Sequence, residues 1–140
     1  MEARIVTNNK EQDDAFTIRK VVFVDEQNVP LEEEIDQFED EATHIVLYDH
    51  NEPVGAGRFR ELDGYGKVER ICVLASHRKN GAGNLIMKKM EDIAKERGIS
   101  KLKLNAQTHA ENFYKKLGYE TVTGIFMDAG IPHVTMIKAL

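Results

Sequence analysis

Between Val73 and Lys89 the chain reads VLASHRKNGAGNLIMKK, and an apolar run gives way to a helical one across two glycines and a basic pair. Glycine is a poor helix former, so Gly81 and Gly83 at a helix entry cost stability unless bare backbone is wanted there. A helix start exposes unpaired N–H groups and the positive end of the macrodipole, which makes such an entry an anion site. Arg78 and Lys79 add charge to it. The chemistry implied is the binding of a phosphate-bearing ligand. There is no GxxxxGK[ST], and a GxGxxG beginning at Gly81 would need glycine where Ile86 stands, so neither a P-loop hydrolase nor a dinucleotide fold is supported. On spacing alone, a surface loop with permissive glycines is the plain alternative.

Other reactive types read as structural. Cys72, with His109 or His133 nearby, would make a thiol enzyme, but a lone cysteine on a central strand is first of all a small buried residue. His44, His50, His77, His109 and His133 show no HxxxH or Cys/His ligand spacing, so no metal is expected. One cysteine cannot form an internal disulfide, in keeping with a reducing compartment.

The elements that must position these residues follow from hydrophobic period and turn residues. RIVT (4–7) opens as a strand, and Ala15, Ile18 and Val22 recur at helical spacing. An acidic segment, expected as loop with a helical turn or two, precedes three strand-like runs at 43–49, 54–61 and 67–74. Short turn-rich connections, HNEP and LDGYG, predict an antiparallel meander. Leu85, Ile86, Met90, Ile93 and Ala94 mark one side of a helix that stops at Gly98. The strand KLKLNA (101–106) then requires a right-handed crossover and parallel pairing with 67–74. Thr108 and Glu111 have capping-box spacing for the helix AENFYKKL, and YETVTGIFM and HVTMIKA read as the last two strands. The expected architecture is a mixed-sheet α/β domain of order β-α-β-β-β-α-β-α-β-β, with a parallel pair at its centre.

With 140 residues, 41% of them hydrophobic and 31% charged, the chain is expected to form a single globular domain over 1–140. No apolar run approaches the roughly 20 residues that span a bilayer, and MEARIVTNNKEQDD lacks the pattern of a secretory signal, so a cytoplasmic protein without a membrane partner is expected. The net charge of −5 argues against nucleic acid. Residues 25–41 carry nine acidic residues and no Lys or Arg, leaving 19 basic against 15 acidic residues elsewhere. A mildly cationic body suits an anionic cofactor, and the acidic segment suits a cationic acceptor.

RKNGAG (78–83) fits R/Q-x-x-G-x-G/A, and with NFYKKLGYE (112–120) it resembles the two signatures of the GNAT superfamily of N-acetyltransferases, separated by the helix and strand which that fold demands. VFVDEQNVPLEEEID (22–36) and AGIPH (129–133) further resemble the YjcF-like and ElaA-like bacterial branch. The resemblance implies acetyl-CoA as cosubstrate and acetyl transfer to a primary amine by direct attack in a ternary complex. It implies a bulged strand at Ile71, Cys72 and Val73 whose backbone holds the pantetheine, with Val73 as oxyanion donor. It implies a pyrophosphate loop of Arg78, Lys79, Asn80, Gly81, Ala82 and Gly83, with Asn105, Gln107 and Asn112 toward the CoA arm. Many members carry asparagine where this chain has Gln107. Tyr114 matches the tyrosine that protonates the departing thiolate, a reasonable pairing for a phenol with a pKa near 10.

Glu69, alternating with Ile71 and Val73, is expected on their face as a candidate base for the amine, with an ion pair to a neighbour such as Arg70 as its other reading. Glu26, Gln27 and His133 fall where this fold borders the acceptor. A catalytically weak CoA-sensing module and a general anion-binding domain are the competing functions, the acceptor is not named by the chain, and a homodimer is expected only on base rate.

Overall fold

A computed structural model describes all residues, 1–140. In chain order the elements are β1 (Glu2–Ile5), α1 (Asn9–Arg19), a π-helical segment (Lys20–Glu26), α2 (Leu31–Glu34), β2 (Thr43–Asp49), β3 (Glu52–Leu62), β4 (Tyr65–Val73), α3 (Ala82–Glu96), β5 (Lys101–Gln107), α4 (Glu111–Lys116), β6 (Glu120–Thr121), β7 (Phe126–Asp128) and β8 (Ile131–Ala139). One sheet runs in the order β1-β2-β3-β4-β5-β8-β6, with β7 also on β8. All pairs are antiparallel except β4 with β5. The mixed α/β architecture and its central parallel pair therefore match the expectation. No helix is long and apolar enough to cross a membrane.

The meander forms as its turns dictate. His50 and Asn51 both have positive φ, as do Asp63 and Gly64, the geometry of tight hairpins whose twist matches the strands. α3 buries Ala82, Ile86, Met87, Met90, Ile93 and Ala94 on one sheet face. Leu85, expected in that stripe, is exposed, being one position off the row set by Ala82, Ile86, Met90 and Ile93. α3 lies close over β3 because a side chain at Gly57 would meet Met90 Cε at 2.6 Å. The opposite face carries α1, whose Ala15 and Ile18 pack with Val22, Val46, Tyr48, Ala56 and Cys72.

Two local expectations change. Side-chain capping forms at the first helix instead: the N-cap Asn8 Oδ1 accepts from the Glu11 backbone N–H at 2.9 Å, and Glu11 Oε1 accepts from the Thr7 N–H just before the cap at 2.8 Å. Thr108 caps nothing, because residues 108–110 form a 3-10 turn and Glu111 accepts from the Thr121 hydroxyl. The stretch 119–127 is two short strands, not one. The Thr135 N–H donates to Thr123 Oγ1 at 2.9 Å, so a side chain replaces a ladder carbonyl and the strand breaks at Thr123–Gly124.

Candidate active site

β4 and β5 are paired only through Gly66–Leu102, Lys67–Lys103 and Val68–Leu104. Beyond Val68 the two strands part, although β4 stays on β3 and β5 on β8. Backbone edges that would otherwise bond each other thus line a wedge, which opens into a cleft of about 530 Å³. Ile71, Cys72, Val73 and Arg78 stand on one side and Ala106, Gln107, His109 and Tyr114 on the other. This size suits a small-molecule site, and two free strand edges offer what an extended amide-bearing chain needs.

β4 carries a bulge at Arg70–Ile71, one residue before the expected Ile71–Val73, and Cys72 and Val73 keep regular register with Ala56 and Gly55. Cys72 lies opposite Ala56 and Glu69 opposite Arg58, so both Arg70 and Ile71 face Gly57. Arg70 sits at φ 58°, an uncommon conformation for a side-chain-bearing residue. The acidic segment holds it there: the Arg70 guanidinium pairs with Glu34 Oε2 at 3.1 Å and Asp36 Oδ2 at 3.2 Å. The same segment neutralises buried cations. Arg19, fully buried, pairs with Glu34 and Glu39 at 2.8 Å, and Arg58 with Asp36 at 2.8 Å. Three of the nine acidic residues, Glu34, Asp36 and Glu39, thus form an ionic clamp on arginines while Asp25, Glu26, Glu32, Glu33, Asp40 and Glu41 stay exposed, and nothing in the acidic run by itself revealed those arginine partners.

The bulge also overturns one expectation. Alternation would place Glu69 with Ile71 and Val73, but the extra residue puts it on the opposite face. Ile71 lies beside Gly57 against α3, while Glu69 receives Arg60 Nε at 2.7 Å and lies 3.1 Å from Arg58. Burial would raise the Glu69 carboxyl, but hydrogen bonds from Arg60 and the charges of Arg58, Arg60 and Lys67 hold it below the ordinary carboxylate value. Such a group is a reluctant base, although it lines the cleft.

At the helix entry Gly81 has φ 88° and open space where a side chain would stand. Gly83 serves differently. A Cβ there would meet the Phe113 ring of α4 at 2.9 Å, so packing against α4 also requires this glycine. A small depression here is lined by Lys79, Gly81, Ala82, Gly83, Asn84, Phe113 and Lys116. Arg78 turns away from it, donating from Nε to the Val73 carbonyl at 2.9 Å and pairing with Glu26 at 2.7 Å. Asn80 and Asn112 are exposed and line neither the cleft nor the depression.

Tyr114 is only 8% exposed, packs edge-on to Phe113 and Tyr119, and borders the cleft. Burial, with a smaller push from Cys72, raises its pKa, so the phenol holds its proton at neutral pH. Burial also pushes the Cys72 thiol up to about 12, which removes it as a thiolate nucleophile. Gln107 donates to Gln27 Oε1 at 2.8 Å and pairs with His109 at 2.6 Å, so residues assigned separately to cofactor and acceptor meet across the cleft. Asn105 accepts from the Thr135 hydroxyl at 2.8 Å. His133 lies opposite Gln107, stacked on Phe126, and its Nδ1 donates to the Ile131 carbonyl at 2.7 Å. That bond makes Nε2 the acceptor nitrogen. Lys67, Phe23 and Asp128 also line the cleft and were not singled out in the sequence.

Residues 9–140 match the model of the acetyltransferase (GNAT) domain. The chain is 57% identical over 139 residues to the uncharacterized N-acetyltransferase YjcF of Bacillus subtilis (strain 168), covering 99% of each chain. The crystal structure of Escherichia coli ElaA superposes with a TM-score of 0.88 at 25% identity, over 99% of both chains. An aminoglycoside 6′-N-acetyltransferase complexed with coenzyme A shares the fold, with a TM-score of 0.79 at 19% identity over 99% of this chain and 97% of that one. A bulged strand parting from its parallel neighbour, a glycine helix entry and these relatives lead to one conclusion: the chain belongs to the GNAT acetyltransferase family.

Proposed function

We propose that the protein is an acetyl-CoA-dependent N-acetyltransferase that moves an acetyl group to a primary amine by direct attack in a ternary complex. The observation that carries this reading is the parting of β4 and β5 beyond Val68, with Tyr114 on the rim of the wedge. The coenzyme A complex of a protein of the same fold supports it. Acetyl-CoA supplies an activated thioester carbonyl. The edges at Ile71–Val73 and Ala106–Gln107 suit its amide-bearing arm, and the Gly81 entry with Lys79 suits its diphosphate.

The chain's own groups cover the remaining demands. Backbone N–H groups around the bulge, with Val73 foremost, donate to the oxygen on which negative charge develops. The Tyr114 phenol delivers a proton to the departing sulfur. His133 Nε2 takes the amine proton, because the Glu69 carboxylate is already committed to two arginines. No covalent enzyme intermediate is needed, and the buried Cys72 is not available for one.

Tyr114→Phe tests the reading. Turnover of acetyl-CoA with an accepted amine should fall by about 10²-fold or more, the range of lost general acid catalysis, while the thermal stabilisation given by CoA stays near that of the parent. An equal loss of both would remove Tyr114 from the chemistry. Stabilisation by CoA without transfer to any amine would leave the CoA-sensing module.

A further inference from the structure

Lys67 stands at the closed end of the wedge, in the last stretch where β4 and β5 still pair, and it lines the cleft. Its ammonium is half-buried yet makes no ion pair and no side-chain hydrogen bond within the chain. Every charged neighbour that could serve it is otherwise engaged or apart. The Glu69 oxygens take Arg58 and Arg60. Lys103, paired opposite in the register, and Arg60 add positive charge, while Asp128 on β7 is exposed and forms no ion pair with Lys67. Of the other acids in the cleft, Glu26 binds Arg78, Glu34 binds Arg19 and Arg70, and Glu33 is exposed. An exposed carboxylate is solvated at no cost, whereas a half-buried unpaired ammonium gives up hydration without compensation.

We propose that the acceptor amine carries a second, anionic group, a carboxylate or a phosphate, and that Lys67 binds it. The inference rests on the transferase reading and names the substrate class of that same cleft. The polar floor of the cleft is shared by Lys67 and Glu69 on β4, Asn105 and Gln107 on β5 and His133 on β8, the residues that alternate with core-facing Val68, Leu104, Ala106 and Val134. An acceptor lying on this floor with its anion on Lys67 points its amine toward His133 and the open end of the wedge. Lys67 does not belong to the diphosphate of CoA: the strand rises on the order of 20 Å between Lys67 and Val73, and the glycine loop lies beyond that. The buried setting supports the assignment. Burial, with the charges of Lys103 and Arg60, lowers the Lys67 ammonium pKa against the pull of Glu69 and Asp128, and an arriving anion relieves that cost.

The experiment compares four matched amines as acceptors, read by thiol release from acetyl-CoA: 4-aminobutyrate, 3-aminopropyl phosphate, 1-aminobutane and 1,4-diaminobutane. Thermal unfolding with CoA alone runs in parallel. The parent protein is expected to give kcat/KM at least tenfold higher for the carboxylate or the phosphate than for 1-aminobutane, and the better of those two identifies the anion. Lys67→Met should erase that ratio through KM while keeping the CoA stabilisation, and Lys67→Arg should restore most of it. Preference for the diamine, equal use of all four, failure to use either anionic amine while CoA still stabilises the fold, or an unchanged ratio in Lys67→Met would overturn the inference. Absence of CoA stabilisation in the parent would instead defeat the transferase reading itself.

Discussion

Two ionisable side chains on the cleft floor, Glu69 and His133, differ in what their partners leave free. Glu69 has both oxygens in arginine hydrogen bonds, Arg60 Nη2 reaching Oε2 at 3.2 Å, and removing its charge takes from Arg60 its close carboxylate partner while Arg58 keeps Asp36 and Glu39. His133 has one nitrogen fixed by the Ile131 carbonyl and the other free of any protein partner. Glu69→Gln should therefore lose stability, about 3 kcal/mol for a broken buried pair, yet keep the acidic limb of the pH–rate profile. His133→Gln should lose that limb, because a base works only when deprotonated and its removal abolishes the fall in kcat/KM toward low pH. Profiles of the two variants that exchange these outcomes would return the base to Glu69.

Among elements, the contact of α3 with α4 matters most to the site. α4 is only two turns long and carries Phe113 and Tyr114 next to each other, with the Phe113 ring seated over Gly83 at the start of α3. A methyl at Gly83 would have to move a rigid ring, and the adjacent phenol would move with it. Gly83→Ala is expected to destabilise the fold by about 1–3 kcal/mol, as overpacking does, and to lower kcat as well. A melting curve and turnover equal to the parent's would show that α4 is not held this way. The π-helical segment has a comparable function, because its wider winding carries Phe23, Glu26 and Gln27 from the end of α1 to the cleft.

At the scale of the whole molecule, the two faces of the sheet are held by different forces. α3 covers one face with a large apolar cluster, while α1 and the acidic segment cover the other with a smaller cluster and the Arg19, Arg58 and Arg70 ion pairs. The second face should make the fold sensitive to acid. Burial would raise the Glu39 carboxyl, but hydrogen bonds and charge from Arg19, with help from Arg58, bring it down to about 2. Asp36 and Glu69 are lowered by their arginines in the same sense. A depressed carboxylate contributes stability that is fully present above its unfolded value near 4 and is lost as pH falls through its folded value. His44, whose pKa burial lowers, begins the loss below its ordinary value near 6.5, and melting temperature should then drop most steeply between about 4.5 and 2. A level curve down to pH 2 would mean that these pairs contribute little.

Features that rest on local spacing can be read from the chain alone. The turns at 50–51 and 63–64, the crossover from β4 through α3 to β5, the glycine helix entry and the buried face of α3 are short-range patterns, legible because period and turn chemistry repeat over a few residues. Features that depend on partners far apart in the chain emerge only on folding. The one-residue bulge at Arg70–Ile71 inverted the side on which Glu69 lies, the arginines at 19, 58 and 70 converted part of an acidic run into a clamp, and Phe113 gave Gly83 a packing reason. Lys67 showed itself unpaired only once Glu69 was seen to be taken. Charge and alternation along a strand are read from the chain, but pairing is a property of the space between strands, and a single extra residue changes which face meets which partner.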